Sequence, residues 1–523
     1  MPAAATPENE GPRWGLWYPL ALVKAAADDR IEKLDLTRRR RLTLLAGAAL
    51  GLAAFALYLA TLAPTILYYT DQMKDSAVLP AVAHTLGISH PTGYPTYTIL
   101  THLFTYLPLG DVAYRVNLAS AVFGALAVAM LFGVGYRLSR SIAASALGAI
   151  AFGVSGLFWS QAIIAEVYTL HVLFVALVLF VLLLWRDKRR DRYLLLAAFL
   201  IGLSMTHHLT SGLLLPAAAL FVLLVEPRKV LQWKVVLGGV GLFLVGLVPY
   251  AYLPLRARMD PAMNVEDPSN WERFEDMLTG GEFKDQMWAF GPAELPGRFV
   301  MYLDHLSGQL HWAIVMSAIV GLVYLLFRDR AAFALLGLLF AGSLFYALEY
   351  DISDVYHYFI PTYALLALCA SVGLGAILGE AEILAGRFGA RVSVAAAAAL
   401  SAVVLAVVLS GVGDRYREVD MSEDYEGPRI LSVVARETAP NAIVIHHRNP
   451  LQYMRLVENR REDITPWSFA QPIDQQEADE AVAAIREGRF YILFPSAGKA
   501  RQFTEAGFHV VPVEEGTLYQ VVP

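Results

Sequence analysis

The sequence predicts an all-α polytopic membrane protein with a small α/β domain after its last membrane span. Three observations lead there. The chain of 523 residues is 57% hydrophobic and only 17% charged, with a mean hydropathy of +0.49, whereas about a quarter of a soluble chain is charged. Its apolar residues fall in repeated runs of about 18–22, long enough to cross a bilayer as helices. From Gly413 onward the composition becomes that of a water-exposed domain.

Composition also narrows the function classes. No basic face stands clear of apolar flanks, so a nucleic-acid partner is not expected. The single cysteine, Cys369, lies inside an apolar run; it allows no disulfide framework within one chain and reads as a buried thiol. Residues 1–35 carry scattered acids and no short apolar core ahead of a small-residue cleavage site, so they do not read as a cleavable signal. Trp14 to Val23 suits a membrane surface.

Charge then sets the topology. Arg38, Arg39, Arg40 and Arg41 precede the first span, about 42–62, and place residues 1–41 in the cytoplasm by the positive-inside rule. Residues 63–114 become the first outer loop. Within it, 97–109 is apolar but about half a span long, and reads as interfacial or re-entrant. The next spans, 115–136 and 141–158, enclose Arg137 and Arg140 in a tight inner turn. Counting 97–109 as a crossing would put those arginines outside and invert every later loop. Further spans follow at 167–185, 193–206, 209–225, 235–255, 312–327, 331–349, 359–379 and 393–412. The basic stretches 186–192, 226–229 and 328–330, with Arg387 and Arg391, then lie inside, and a long acidic loop, 256–311, lies outside. This makes about eleven spans within 42–412. Residues 413–523 form an outer domain with strands expected at 442–447, 490–495, 508–513 and 518–522 and a helix at 478–487. His446 and His447 read as strand-end residues, because no third metal ligand accompanies them.

Ionisable groups at membrane depth are costly and ask for a reason. In this topology Asp71, Asp75, His90, Glu166, His207, His208, Arg256, Asp267, Asp351 and Asp354 all face outward at span ends. An outward-facing active site would draw one acid or base from each of several loops in this way. Each residue has a plainer reading. Asp71 and Asp75 would solvate a loop, and Glu166 would suit a helix N-terminus. The His207–His208 turn would cap helix ends rather than bind metal, Asp351 and Asp354 would be turn residues, and Pro91, Gly93 and Pro95 would bend the chain in any case. The functional reading rests on their sharing one side. Two other classes compete: a transporter or flippase of a lipid-linked substrate, whose ionisable groups belong nearer mid-membrane on broken helices, and a non-catalytic membrane scaffold carrying the outer domain.

Ordered motifs sharpen the choice. They are Asp75-Ser76, Leu86-Gly87-Ile88-Ser89-His90-Pro91-Thr92-Gly93-Tyr94-Pro95, Arg115-Val116-Asn117, Trp159-Ser160-Gln161 and Glu166-Val167-Tyr168. Gly202 through His208 continues the series, then Leu255-Arg256-Ala257, Asn264, Asp267-Pro268-Ser269-Asn270-Trp271, Thr279-Gly280-Gly281, Tyr350-Asp351-Ile352, Asp354 and Tyr358-Phe359-Ile360-Pro361. Over about 40–380 this series resembles a bacterial family of GT-C glycosyltransferases that includes a eukaryotic transmembrane protein O-mannosyltransferase. The resemblance implies a GT-C fold in the inner (cytoplasmic) membrane. It implies transfer of a mannose-like hexose, with inversion, from a polyprenyl-phosphate donor to an acceptor hydroxyl, most simply a protein Ser or Thr, on the outer face. Asp75-Ser76-Ala77-Val78 falls where the family has Asp-Ser-Gly-Glu. Asp75 thereby takes the general-base position, Val78 replaces a glutamate, and Asp71 is a second acid upstream. Donor phosphate and sugar contacts are implied for His90, Tyr94, Glu166, Tyr168, His207, His208 and Arg256, and supporting roles for Asn117, Asn264, Asp267, Asp351 and Asp354. A divalent cation is compatible with the resemblance but not required by it. The implied partners are the lipid-linked donor, an acceptor protein or glycan, and the bilayer.

Overall fold

The computed structural model describes residues 17–67, 74–446, 450–468, 475–494 and 497–523. Asp71, His447 and Trp14 lie outside the described residues. Helix α1 (Trp17–Ala60) runs unbroken through the arginines. Its apolar part turns Leu42, Leu44, Leu45 and Leu52 outward, as a helix bordering lipid must. α2 (Lys74–Thr85) and α3 (Pro95–Phe104) follow, then α4 (Val112–Ser139). A Cβ on Gly47 would meet Phe132 at 3.2 Å, whereas one on Gly124 would meet Tyr58 at 3.2 Å. α1 and α4 are therefore antiparallel, and Arg38–Arg41 share an end of the bundle with Arg137. The ten-residue α3 does not cross between them.

α5 (Ile142–Gly153), α6 (Gly156–Gln161), α7 (Tyr168–Lys188), α8 (Asp191–Met205), α9 (Leu214–Val225), α10 (Trp233–Gly246) and α11 (Tyr252–Ala257) continue the bundle. α12 (Trp271–Thr279) lies in the long loop, before α13 (Leu295–Gln309), α14 (Trp312–Arg328), α15 (Arg330–Glu349), α16 (Ile360–Gly386) and α17 (Ala390–Leu409). Among the described residues, seven helical stretches are long and apolar enough to cross a membrane, or eight if α13 and α14, bent by 113°, count as one. The other three of the eleven expected spans fall on α5 and α8, of 12 and 15 residues, and on Leu209–Val225, where a five-residue 3-10 turn runs into the 12-residue α9. At a rise of about 1.5 Å per residue each is shorter than the hydrocarbon core.

α4, α7 and α16 form the centre and are buried along most of their apolar length. Small residues let the helices close on one another. A Cβ on Gly321 of α14 would sit 1.9 Å from the Cys369 carbonyl oxygen of α16, and one on Gly373 would sit 1.9 Å from that of Ser317. One end of the bundle is tied by ion pairs: Arg137 and Arg140 to Asp187 at 2.8 and 3.4 Å, Arg186 to Asp329, Arg189 to Glu226 at 3.4 Å and Lys229 to Asp191 at 2.9 Å. The expected basic loops thus gather on one side.

At the other end the two long loops are joined. The Ile88 amide donates to the Met263 carbonyl at 2.8 Å and the Val265 amide to that of Ile88 at 3.3 Å. Beyond α18 (Val412–Val419) and α19 (Glu426–Glu437) come β1 (Ile443–His446), α20 (Pro450–Leu456), β2 (Thr465–Ser468), α21 (Gln475–Arg486), β3 (Phe490–Leu493), α22 (Ala497–Glu505), β4 (His509–Glu514) and β5 (Leu518–Val522). The sheet order is β2-β1-β3-β5-β4, with β1 parallel to β2 and β3 and the last three antiparallel. Alternation decides its faces: Ile443, Ile445, Phe490 and Ile492 pack with Ala484 and Ile485 of α21. Val444, Tyr491 and Leu493 pack with Ile430 and Val434 of α19 in a cluster that also holds Ala77, Val78 and Val82 of α2. The C-terminal domain therefore rests directly on the helix that carries Asp75. Val78, where an acid was the family expectation, is an apolar contact within that cluster.

Candidate functional site

Asp75 lies in the first turn of α2, at the wall of a cavity of about 400 Å³. Its carboxylate is 3.6 Å from Nε2 of His90. The ring of His90 is fixed on both sides, by the Ser89 hydroxyl at 3.1 Å from Nδ1 and the Tyr94 hydroxyl at 3.3 Å from Nε2. Gly93, at φ +79°, makes the turn that brings Tyr94 back toward His90, a conformation glycine adopts without strain. The same cavity is lined by Glu166, Val167 and Tyr168 at the start of α7, by Tyr350, Asp351, Asp354 and Tyr358 between α15 and α16, and by Phe283 and Gln286 of the long loop, with the Phe283 ring 6.3 Å from that of His90. Four carboxylates and several phenols line one space. Such a lining suits a ligand rich in hydroxyl donors.

Glu166 is 4% exposed, and its carboxylate accepts from the Val167 amide at 3.2 Å, which offsets part of the cost of burial. Asp354 lies 3.7 Å from His357, whose ring packs on that of Tyr168 with 5.0 Å between centroids. The histidine turn sits behind this wall. His207 bonds the Val167 carbonyl at 2.9 Å and stacks on Tyr97 at 6.0 Å. His208 bonds the Thr210 hydroxyl at 2.7 Å, stacks on His171 at 4.4 Å and borders a small side cavity with Tyr94 and Tyr358. Burial pushes the pKa of His207 down to about 3, reinforced by neighbouring His208 and opposed by the bond to Val167. Burial alone pushes that of His208 down to about 4. Both imidazoles are neutral near pH 7 and supply no cationic charge.

Four further residues named from the sequence, Arg256, Asn117, Asn264 and Asp267, lie away from the cavity wall. The Arg256 guanidinium donates to the Leu86 carbonyl at 2.7 Å and the Thr85 carbonyl at 3.0 Å. It thereby caps the end of α2 opposite Asp75, where a cation suits the helix dipole. Asn117 holds the segment before α2 by donating to the Ala63 and Thr65 carbonyls at 2.9 and 3.1 Å. Asp267 accepts from Asn264 at 3.0 Å and Ser269 at 3.0 Å and pairs with Arg273. Asn264 and then Ser269 hold its carboxyl below the usual range. Asn264 and Asp267 line an adjoining groove rather than the cavity. Sequence reasoning missed Phe283, Gln286 and His357. Tyr350 and Tyr358 had a signal, since they flank the acids Asp351 and Asp354.

Residues 75–231 match the family model described as the N-terminal domain of the protein O-mannosyl-transferase TMEM260. The chain resembles protein O-mannosyl-transferases. It is 31% identical to the mouse protein O-mannosyl-transferase TMEM260 over 336 residues, which is 58% of this chain and 46% of that one. It is 27% identical to the Dictyostelium discoideum protein of that name over 220 residues, 38% of this chain and 27% of that one. The chain thus spans about half the length of the mouse relative and less of the other. Among solved structures, ArnT from Cupriavidus metallidurans bound to undecaprenyl phosphate has a similar fold, with a TM-score of 0.61 at 14% identity over 91% of this chain and 97% of that one. The oligosaccharyltransferase AglB from Archaeoglobus fulgidus, in complex with an inhibitory peptide and a dolichol-phosphate, gives 0.52 at 11% identity over 90% and 74%. The expected GT-C fold is the fold present.

Proposed function

We propose that the chain is a glycosyltransferase that moves a sugar from a polyprenyl-phosphate carrier to an acceptor hydroxyl, with Asp75 as general base. The observation that carries the reading is the cavity. It brings Asp75 and His90 from the first long loop together with Glu166, Asp351 and Asp354 from distant loops at one end of a membrane bundle. As the acceptor oxygen attacks the anomeric carbon, its proton passes to Asp75. The bond from that carbon to the phosphate oxygen breaks on the opposite face, and the lipid phosphate leaves with the electron pair, which inverts the centre. His90 orients the Asp75 carboxylate, because a base acts only within hydrogen-bond reach of its proton. Glu166, Asp351 and Asp354 accept from sugar hydroxyls. α2 and α7 both begin at the cavity, and helix N-termini favour an anion such as the departing phosphate. Arg256 contributes by seating α2. Among the described residues no three His, Cys, Asp or Glu side chains converge as a metal site requires, so no step is assigned to a divalent cation.

Mannose and protein Ser or Thr are the choices that follow from the names of the mouse and Dictyostelium relatives. The test is transfer from polyprenyl-phosphate mannose to a Ser/Thr peptide in membranes containing Asp75→Asn. Loss of a general base costs about 10²–10⁴ in rate. Full activity in that variant would remove Asp75 from the role, and movement of the carrier across liposomes without transfer would replace the enzyme reading with a flippase.

A further inference from the structure

At the end of the bundle held by Arg137, Asp187 and Lys229, a second cavity of about 360 Å³ opens between α7, α8, α9 and α10. Leu182, Ala198, Ile201, Val222 and Phe243 form its walls, and every lining residue except Lys229 is apolar. Leu223 and Val240, 43% and 50% exposed, leave it open sideways. Inside a bilayer such a groove fills with hydrocarbon.

The mouth is basic. Lys229 itself is neutralised by Asp191 at 2.9 Å and Glu226 at 3.3 Å. That pair and Arg189–Glu226 bring the 189–192 turn beside the 226–234 stretch. Besides Arg189, which is paired with Glu226, four exposed cations collect there: Arg190, Arg192, Arg228 and Lys234. Arg192 lies 4.8 Å from the Tyr193 ring centroid and Lys234 5.7 Å from that of Trp233, and aromatic rings of this kind mark the headgroup level of a membrane. Basic pockets between membrane helices recognise anionic headgroups.

We propose that this groove is a binding site for an anionic phospholipid, one acyl chain lying between α8, α9 and α10 and the phosphate resting among Arg190, Arg228 and Lys234. It is separate from the Asp75 cavity. α8 runs from Asp191 at this mouth to Met205, beside the histidine turn, a separation of about 20 Å at helical rise. The site therefore serves retention or packing of lipid and not the transfer step.

The test uses the full chain in micelles doped with equal amounts of phosphatidylglycerol and phosphatidylcholine, with retained lipid read by native mass spectrometry. Phosphatidylglycerol is expected to be retained preferentially. Replacing the exposed cations in R190Q/R228Q/K234Q should lower that preference by roughly five-fold per cation removed. Filling the groove with Ala198→Phe should reduce retention of both lipids. Equal retention of the two lipids, or an unchanged preference in the triple variant, would overturn the proposal. So would displacement of the lipid by millimolar inorganic phosphate, since the headgroup alone would then account for binding. The triple variant decides the matter even if Ala198→Phe does not fold, because its three positions are exposed.

Discussion

Replacing Arg256 by alanine separates two roles for the same cation. As a phosphate ligand it would act on the donor; as built, it holds the carbonyls of Thr85 and Leu86 at 3.0 and 2.7 Å. Hydrogen bonds from a charged donor contribute about 1.5–3 kcal/mol each, and Arg256 is partly solvated, so losing both should cost about 2 kcal/mol. Tyr252, whose hydroxyl also donates to the Leu86 and Gly87 carbonyls at 2.6 and 2.9 Å, keeps part of that support in the variant. The end of α2 should loosen, and Asp75 at its other end should occupy its working position less often. The expected signature is a lower melting temperature and a fall in kcat of up to about 30-fold, the equivalent of 2 kcal/mol. Any loss of affinity for the lipid phosphate should accompany the loss of stability, because the proposed phosphate contact lies at the start of α2 and not at Arg256. Thermal denaturation in detergent and binding of undecaprenyl phosphate measure the two separately. An Arg256→Ala protein of normal stability that has lost affinity for the phosphate would refute the capping role and restore a direct one.

Acid should destabilise the histidine wall. His207 and His208 have folded pKa values of about 3 and about 4, below the ordinary value near 6.5. The neutral forms therefore favour the fold at full strength above about pH 6.5, and that advantage is lost as pH falls toward 4, by up to ~1.4 kcal/mol per pH unit for each ring. Melting temperature against pH should drop over that window and flatten in His207→Gln/His208→Asn; an unchanged slope would show that other groups carry it. Introducing a charge at Val78 with Val78→Glu should loosen the contact between α2 and the C-terminal domain, since an unpaired buried charge costs several kcal/mol. Limited proteolysis should then release that domain faster, and wild-type resistance would contradict the packing. Gly321→Leu should lower the melting temperature by forcing α14 from α16, an overpacking cost of roughly 1–3 kcal/mol or more; a variant as stable as the parent would count against that crossing.

The sequence carried the site further than it carried the roles. Asp75, His90, Tyr94, Glu166, Tyr168, Asp351 and Asp354 were all named from it, and all line one cavity. His207 and His208 lie just behind, and Arg256, Asn117, Asn264 and Asp267 brace the loops around it. Nothing in one chain's order says whether an arginine near a helix end faces a ligand or a carbonyl. β2 went unread for a local reason. Its four residues contain Pro466, which argues against a central strand but is tolerated at a sheet edge, and β2 is an edge.

What the sequence determined by itself is the membrane class, the basic end of the bundle and the shortness of the apolar segment in the first loop, whose helix α3 has ten residues. These follow from transfer free energies and loop charges, which add up residue by residue along the chain. The tertiary structure alone decided which acids meet, that Arg256 serves α2, and that Val78 meets the C-terminal domain. Those outcomes depend on the rotation of each helix about its axis and on the approach of loops far apart in the chain. A side chain's partner is set by that geometry, and neither hydropathy nor spacing encodes it.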